Sequence, residues 1–337
     1  MDQNSIIHGE IMMKKKLIAL LLAGTMAVSF NMPSAVLAEE ASTEEAAELP
    51  ELPEGVVPIT WDVSPDHLMI QTDEAREFYD KIKAGEYPSI EELKESNVVK
   101  QLIALRDYYL ALYGKTVEID TPERQQLRQE ILDKFLSGGS ARTESVDENG
   151  RHKYVYDGPL KKDFQLELAL GLSASGKSTM IADPDSEEMG AFILDPDVIK
   201  EMLPEYQETH GAGADCVHLE GMQLMEEAIK AFTEGDMKGT NVILPLVSTD
   251  LNDLLNYIKP FEDAGYNVKA KLREAVPNES MARVFARTLE GGQLINPDFI
   301  FSVTTEPEEV YYELAPMINA RGETYGYDVE EALEPAA

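Results

Sequence analysis

Residues 171–179 read GLSASGKST, and this run holds the densest set of chemically capable groups in the chain. Gly171, Gly176, Lys177 and Ser178 fit the spacing GxxxxGK[ST]. That spacing suits the binding of phosphate. Glycines let the backbone turn so that the N–H groups around Ser173, Ala174, Ser175 and Gly176 point inward at phosphate oxygens. The helix expected after Ser178 and Thr179 brings its positive N-terminus to the same anion. Lys177 reaches the outer phosphates as a point charge, and the Ser178 hydroxyl is placed to ligate Mg²⁺. A Gly/Ser-rich loop without a ligand is the plainer alternative, and it leaves Lys177 pointing at nothing.

A second group of candidates is Asp195-Pro196-Asp197. Acids at i and i+2 of an extended chain point to one side, and Pro196 biases Asp195 toward extended backbone. The same three residues also make a good helix start, with Asp195 as N-cap and Pro196 at the first helical position. Both roles are compatible. Farther on, Arg283 and Arg287 stand four apart on an expected helix, as a phosphate clamp would require, although for such a pair taken alone solvent exposure is the better explanation. His218 stands at another helix entrance, where a cap or surface role is the ordinary reading.

These candidates need a scaffold, and the hydrophobic pattern supplies one. Strands are expected from Phe164, at Ala191–Leu194, from Asn241 and from Asn267. Between and after them, helical patterns follow Asp197, run through Val217–Phe232, cover Asp250–Tyr257 and span Glu279–Glu290. Alternating strands and helices imply an α/β fold with a mainly parallel sheet flanked by helices, and ligands bind such sheets beyond the carboxyl ends of the strands. Ahead of it, Asp73–Ile82, Ile90–Tyr113 and Thr121–Leu136 carry apolar residues near a 3.6 period, with Gly138-Gly139 as a stop and an extended piece near Lys153–Tyr156. They read as a helical N-terminal region without a catalytic constellation.

The first residues carry a different signal. Lys14, Lys15 and Lys16 precede an apolar run from Leu17 to Phe30, and Val36-Leu37-Ala38 ends the segment. This is the three-part pattern of a signal peptide, cleaved after about Ala38. The run is too short for a permanent membrane anchor. Residues 1–11 have no targeting logic, so Met12 or Met13 is the expected start. The division read from sequence is therefore 1–38 signal peptide, 39–58 acidic linker, 59–160 helical region and loop, and 161–337 phosphate-binding domain. An exported protein is the expectation.

Composition sets outer limits. Among 337 residues, 63 Asp and Glu stand against 29 Lys and Arg, a formal net charge of −34. Losing residues 1–38 leaves that imbalance in place. Such a surplus of acid repels phosphate backbones, so nucleic acid is not an expected partner. Cys216 is the sole cysteine, which excludes an intramolecular disulfide. With 43% hydrophobic residues the chain is not disordered throughout.

Taken in order, GLSASGKST, ILDPDVIKEMLPEY, GAGADCVHLE and ARVFAR followed by Gly291-Gly292 resemble the zeta-toxin family of P-loop kinases, over about residues 161–290. The resemblance implies transfer of the ATP γ-phosphate to a sugar hydroxyl of UDP-N-acetylglucosamine, with Mg²⁺. It implies Asp197 as the base, Lys177 as the phosphate lysine, Ser178 with Asp195 at the metal, and Arg283 as the first phosphate-contacting arginine. Two positions depart from the family. Pro245 stands near the place of an acidic residue, and Gln293 and Leu294 fall near that of a second arginine, for which Arg287 can substitute. These departures keep open a second expectation, a noncatalytic secreted binding protein on a degenerate kinase fold. Export separates the chain from cytoplasmic ATP, and the N-terminal helices are candidates for intramolecular inhibition, as a helical antitoxin is in the family.

Overall fold

The computed structural model describes residues 49–114, 119–137, 145–146, 152–153 and 158–319. The expected signal peptide, alternative start, half of the acidic linker and Gly138-Gly139 lie outside them, as does most of the extended piece near 153–156.

Helix α1 (Asp73–Lys83) is capped by Thr72, whose side chain accepts from the Ala75 N–H. The single helix expected over 90–113 is two, α2 (Ile90–Glu95) and α3 (Asn97–Tyr113). Ser89 and Glu92 form a capping box at the start of α2. Ser96, with ψ 128°, breaks the run. Serine and asparagine offer the backbone local alternatives to helical bonding, which apolar periodicity does not register. Helix α4 (Pro122–Ser137) follows, then a short antiparallel pair, β1 (Ser145–Val146) and β2 (His152–Lys153).

Strand β3 (Gln165–Gly171) leads through the phosphate loop into one π-helical turn (Ser178–Ala182) and α5 (Asp183–Met189). Then come β4 (Phe192–Ile193), α6 (Pro196–Glu201), α7 (Pro204–Glu208) and α8 (His218–Thr233). The chain continues with β5 (Val242–Leu246), α9 (Leu251–Asp263), β6 (Asn267–Arg273), α10 (Pro277–Leu289), α11 (Pro297–Ser302) and α12 (Glu306–Asn319). Periodicity missed α7 and α11, which are too short to show a period, and α12, which carries Pro316 inside it. It also ended α9 too early, because Pro260 lies inside the helix.

Four strands form one parallel sheet in the order β4-β5-β3-β6. One face carries Leu166, Leu168, Leu170, Val268, Ala270 and Leu272 and packs on α4, α8, α9 and α12 through residues such as Phe135, Phe232, Phe261 and Leu314. The other carries Ala169, Ile193 and Ile243 and packs on Ile181 and Ala182 of the π-helical turn. Pro245 sits in central β5, a place a proline normally avoids. The carbonyls of Asn241 and Ile243 accept from Phe192 and Leu194, so odd-numbered residues of β5 face β4. By Pro245, β4 has already given way to α6, and no bond is lost.

Helices α1–α3 and the coil before them share a second core with α10, joining Leu68, Ile70, Leu93, Leu102 and Leu105 to Val284, Phe285 and Leu289. Helix α4 is held to α7 and α8 by ions. Arg124 Nη1 lies 2.9 Å from Glu205 Oε1, and its Nε donates to Glu220 Oε1 at 2.9 Å, with Glu220 only 2% exposed. Removing the cation of a buried triad leaves uncompensated charge. Arg124→Met is expected to lower stability by about 3–5 kcal/mol, read as a fall in urea midpoint at pH 7. An unchanged midpoint would show that the triad does not hold α4.

Candidate functional site

The phosphate loop owes its shape to three left-handed residues. Gly171 has φ +147°, and a Cβ there would collide with the Arg273 carbonyl oxygen of β6. Ala174 (φ +55°) and Gly176 (φ +94°) follow, separated by one residue. Such left-handed turns within a loop build anion-binding concavities, and at Ala174 the conformation costs on the order of 1 kcal/mol. Ser280 of α10 donates to the Ser173 carbonyl and ties that helix to the loop.

Lys177 folds over the loop, its Nζ donating to the carbonyls of Gly171 (3.0 Å) and Leu172 (2.7 Å). Burial lowers its pKa to about 8, with Asp195 and Asp197 opposing the shift and Arg287 adding to it. Ser178 opens the π-helical turn, in which the Asp183 N–H donates to the Ser178 carbonyl. Such turns recur at functional sites and are invisible to periodicity. Ser175 Oγ is buried and has no hydrogen-bond partner. Ser173 and Thr179 complete the loop and the first turn.

Asp195 ends the segment after β4 and caps α6, its Oδ1 accepting from the Asp197 N–H at 2.9 Å. The cap is real, and the second acid still faces the lysine of the loop electrostatically. Asp197 Oδ1 lies 2.7 Å from Lys200 Nζ, with the lysine side chain 6% exposed and the aspartate 43%. Lys200 reaches this position because α8 has Gly221 there: a Cβ would collide with the lysine Cγ. Burial raises the Asp197 pKa, but the Lys200 charge and hydrogen bond, Arg287 and the Gln293 amide outweigh it and hold the carboxyl below its ordinary range. Asp195 moves the other way. Burial and the neighbouring Asp197 push it up to about 7. His218 stands at the start of α8, its pKa lowered by burial and by Lys200.

The two carboxyls therefore differ in protonation near neutrality, and Asp195 is a latent liability. Its folded pKa exceeds its unfolded value near 4, so the folded state binds more protons and stability falls as pH rises from about 4 through 7. Asp195→Asn keeps a capping oxygen and removes the charge. In metal-free buffer it is expected to be more stable than the parent at pH 8 by about 1 kcal/mol and equal to it at pH 4, as melting curves at the two pH values would show. Equal melting at pH 8 would mean that Asp195 carries no buried-charge penalty.

The expected arginine pair is divided. Arg283 lies over the Tyr87 ring, donates to its hydroxyl from Nε (3.1 Å) and Nη2 (3.0 Å), and pairs with Glu279. The Arg287 side chain makes no hydrogen bond or ion pair among the described residues, and its charge bears on Lys177 and Asp197. Sequence reasoning gave no role to Lys200, legible only as a base three residues after Asp197. It met Gln293 only as a missing arginine. Arg273, beside the loop, left no signal beyond the alternation of β6.

The donors and turns fit a phosphate chain: a loop turned by left-handed residues, a buried hydroxyl without a partner, one half-buried lysine and an arginine whose side chain makes no hydrogen bond among the described residues. Ser178 and Asp195 are the residues of the site suited to Mg²⁺. Among the described residues no group of three His, Cys, Asp or Glu side chains could hold a metal by itself. Magnesium ordinarily completes its shell with water and phosphate oxygens.

Residues 166–316 match the model of the Zeta toxin family. No curated protein matches the chain. Among solved structures, it is similar to a chain of the PezAT chromosomal toxin-antitoxin system of the human pathogen Streptococcus pneumoniae, at 16% identity and a TM-score of 0.43, over 60% of this chain and 76% of that one. A chain of the AvrRxo1-ORF1:AvrRxo1-ORF2 complex with sulphate ions is similar at 21% identity and a TM-score of 0.41, over 59% of this chain and 60% of that one. The AvrRxo1-ORF1:-ORF2 complex with ATP gives 19% identity and 0.41, over 64% and 63%. The chain thus spans about three-fifths of these last two. The parallel sheet, the loop after β3 and the family match together give the α/β P-loop kinase fold expected from the sequence.

Proposed function

We propose that the zeta-toxin-like region, residues 166–316, is an ATP-dependent kinase whose acceptor is a hydroxyl of a sugar nucleotide such as UDP-N-acetylglucosamine. The observation that carries this reading is Asp197: a part-exposed carboxylate, kept ionised by buried Lys200, at the carboxyl end of the sheet and within electrostatic reach of the loop lysine. Asp197 takes the acceptor proton as the new O–P bond forms and the bond to the leaving diphosphate breaks. An aspartate of low pKa suits a transition state in which the nucleophile is little bonded and its proton leaves late. Lys177 and Arg287 hold the phosphate oxygens, and Lys200 and Gln293 fix Asp197. Ser178 and Asp195 are the residues that would hold Mg²⁺, which would neutralise phosphate charge.

A screen of sugar nucleotides and nucleosides for ³²P transfer from ATP by the whole chain tests this reading. Product from a sugar nucleotide supports it, and absence of any product at saturating nucleotide leaves the second reading, a noncatalytic binding protein. Pro245 and Gln293, which stand near the places of a family acid and arginine, favour that second reading.

Two further expectations belong to the proposal. The first is export directed by residues 13–38, tested by the N-terminal sequence of protein recovered from the culture medium. The second is inhibition by the N-terminal helices. Because α1–α3 share a core with α10, cutting them off exposes Val284, Phe285 and Leu289. The contact to release is therefore Tyr87 on Arg283.

A further inference from the structure

We propose that Arg273, at the end of β6, grips the nucleotide phosphates from the side of the loop opposite to Asp197. The inference rests on the nucleotide-binding reading above and names a residue which that reading does not use.

Strand register brings Arg273 to the loop. It pairs with Gly171, the first residue of the motif, across a parallel ladder. Gly171 has no side chain because the Arg273 carbonyl occupies that space. Alternation along β6 buries Val268, Ala270 and Leu272 on one face of the sheet and sends Lys269, Lys271 and Arg273 to the other. On that face Lys271 meets Asp185 of α5 at 2.9 Å. One step farther along, the side chain of Arg273 runs beside the loop, its Nε 4.0 Å from where a Cβ on Gly176 would stand.

Among the described residues the guanidinium has no protein partner. Its Nε is buried without a hydrogen bond, and the Arg273 side chain makes no hydrogen bond or ion pair with them. By contrast, Arg76, Arg106, Arg124, Arg128 and Arg283 each hold a carboxylate. In a chain with 63 acids and 29 bases, a carboxylate is an easily supplied partner. A buried donor without an acceptor is costly, so a site that keeps one open is suited to a ligand that brings the acceptor. Beside a phosphate loop, that ligand is phosphate, whose oxygens match the planar fork of arginine.

Sheet order decides which ligand Arg273 addresses. In β4-β5-β3-β6 the loop strand β3 separates β6 from β4, so Arg273 lies across the loop from Asp195 and Asp197. It therefore serves the nucleotide rather than the acceptor hydroxyl. Lys177, Arg287 and Arg273 give three cations around one phosphate chain.

The test is calorimetric titration of the whole chain with Mg²⁺–ATP and with inorganic triphosphate. Arg273→Ala and Arg273→Gln, the second keeping the stem in case truncation disturbs the loop, are compared with the parent, and Lys177→Met serves as the control. Both Arg273 variants are expected to bind ATP and triphosphate about 10- to 100-fold more weakly, with melting temperature unchanged in the absence of ligand. Affinities within twofold of the parent, while Lys177→Met binds weakly, would overturn the assignment. So would a loss confined to ATP, which would place the guanidinium on the base. If the parent binds neither ligand, the nucleotide reading itself fails.

Discussion

Asp197→Asn is expected to lower phosphate transfer by about 10²- to 10⁴-fold while leaving ATP affinity within a few-fold of the parent. The asymmetry follows from position. Asp197 stands at the start of α6, after β4, whereas the phosphate cradle follows β3. An amide cannot take the acceptor proton and does not replace the charge that orients Lys200. The substitution also has a structural cost. Lys200 is 4% exposed, and Asp197 is its ion-pair partner at 2.7 Å. Leaving such a lysine unpaired costs several kcal/mol or forces it to deprotonate. A loss of activity could then reflect a loosened α6. Asp197→Asn combined with Lys200→Met separates the two effects. The double variant is expected to melt above the single one and to remain inactive. Recovery of turnover together with stability would show that Asp197 only supports the fold, and the kinase proposal would lose its base.

The second large effect is at Lys177. Lys177→Met is expected to weaken ATP binding by at least about 100-fold and transfer by more than about 10³-fold, because the lysine is the cation folded over the loop. Its effect on the ligand-free fold has the opposite sign. Burial lowers the folded pKa to about 8, below the unfolded value of 10.5. The charged lysine is therefore a penalty carried in full below pH 8, and the penalty disappears as pH rises from 8 through 10.5. Ligand-free Lys177→Met should melt higher than the parent at pH 7 and converge with it near pH 10. A residue whose removal stabilises the protein and abolishes binding is retained for function. Lower melting of the variant at pH 7 would instead give Lys177 a structural role, through its bonds to the Gly171 and Leu172 carbonyls.

Much of the site was legible because its parts are local. The glycine spacing of 171–178, the acids at 195 and 197 and the alternation of β6 each concern residues within a turn or a strand of one another. Backbone geometry converts that spacing into position without help from the rest of the chain. Helix starts were legible for the same reason, as at Asp195, where one side-chain oxygen caps the next turn. The break at Ser96 and the π-helical turn at Ser178 were not, because hydrophobic period does not record which carbonyl an N–H chooses.

A phosphate loop on an alternating α/β scaffold, two acids at a strand end and a large surplus of negative charge are all readable from residue order. Which cations serve that loop is set by the fold. It turned Arg283 to Tyr87, left Arg287 open toward Asp197, let Lys200 in past Gly221 and laid Arg273 against Gly171. The parallel sheet is the cause. Its neighbouring strands come from distant parts of the chain, so β3 meets β6 across about a hundred residues, and no spacing in the sequence encodes that register.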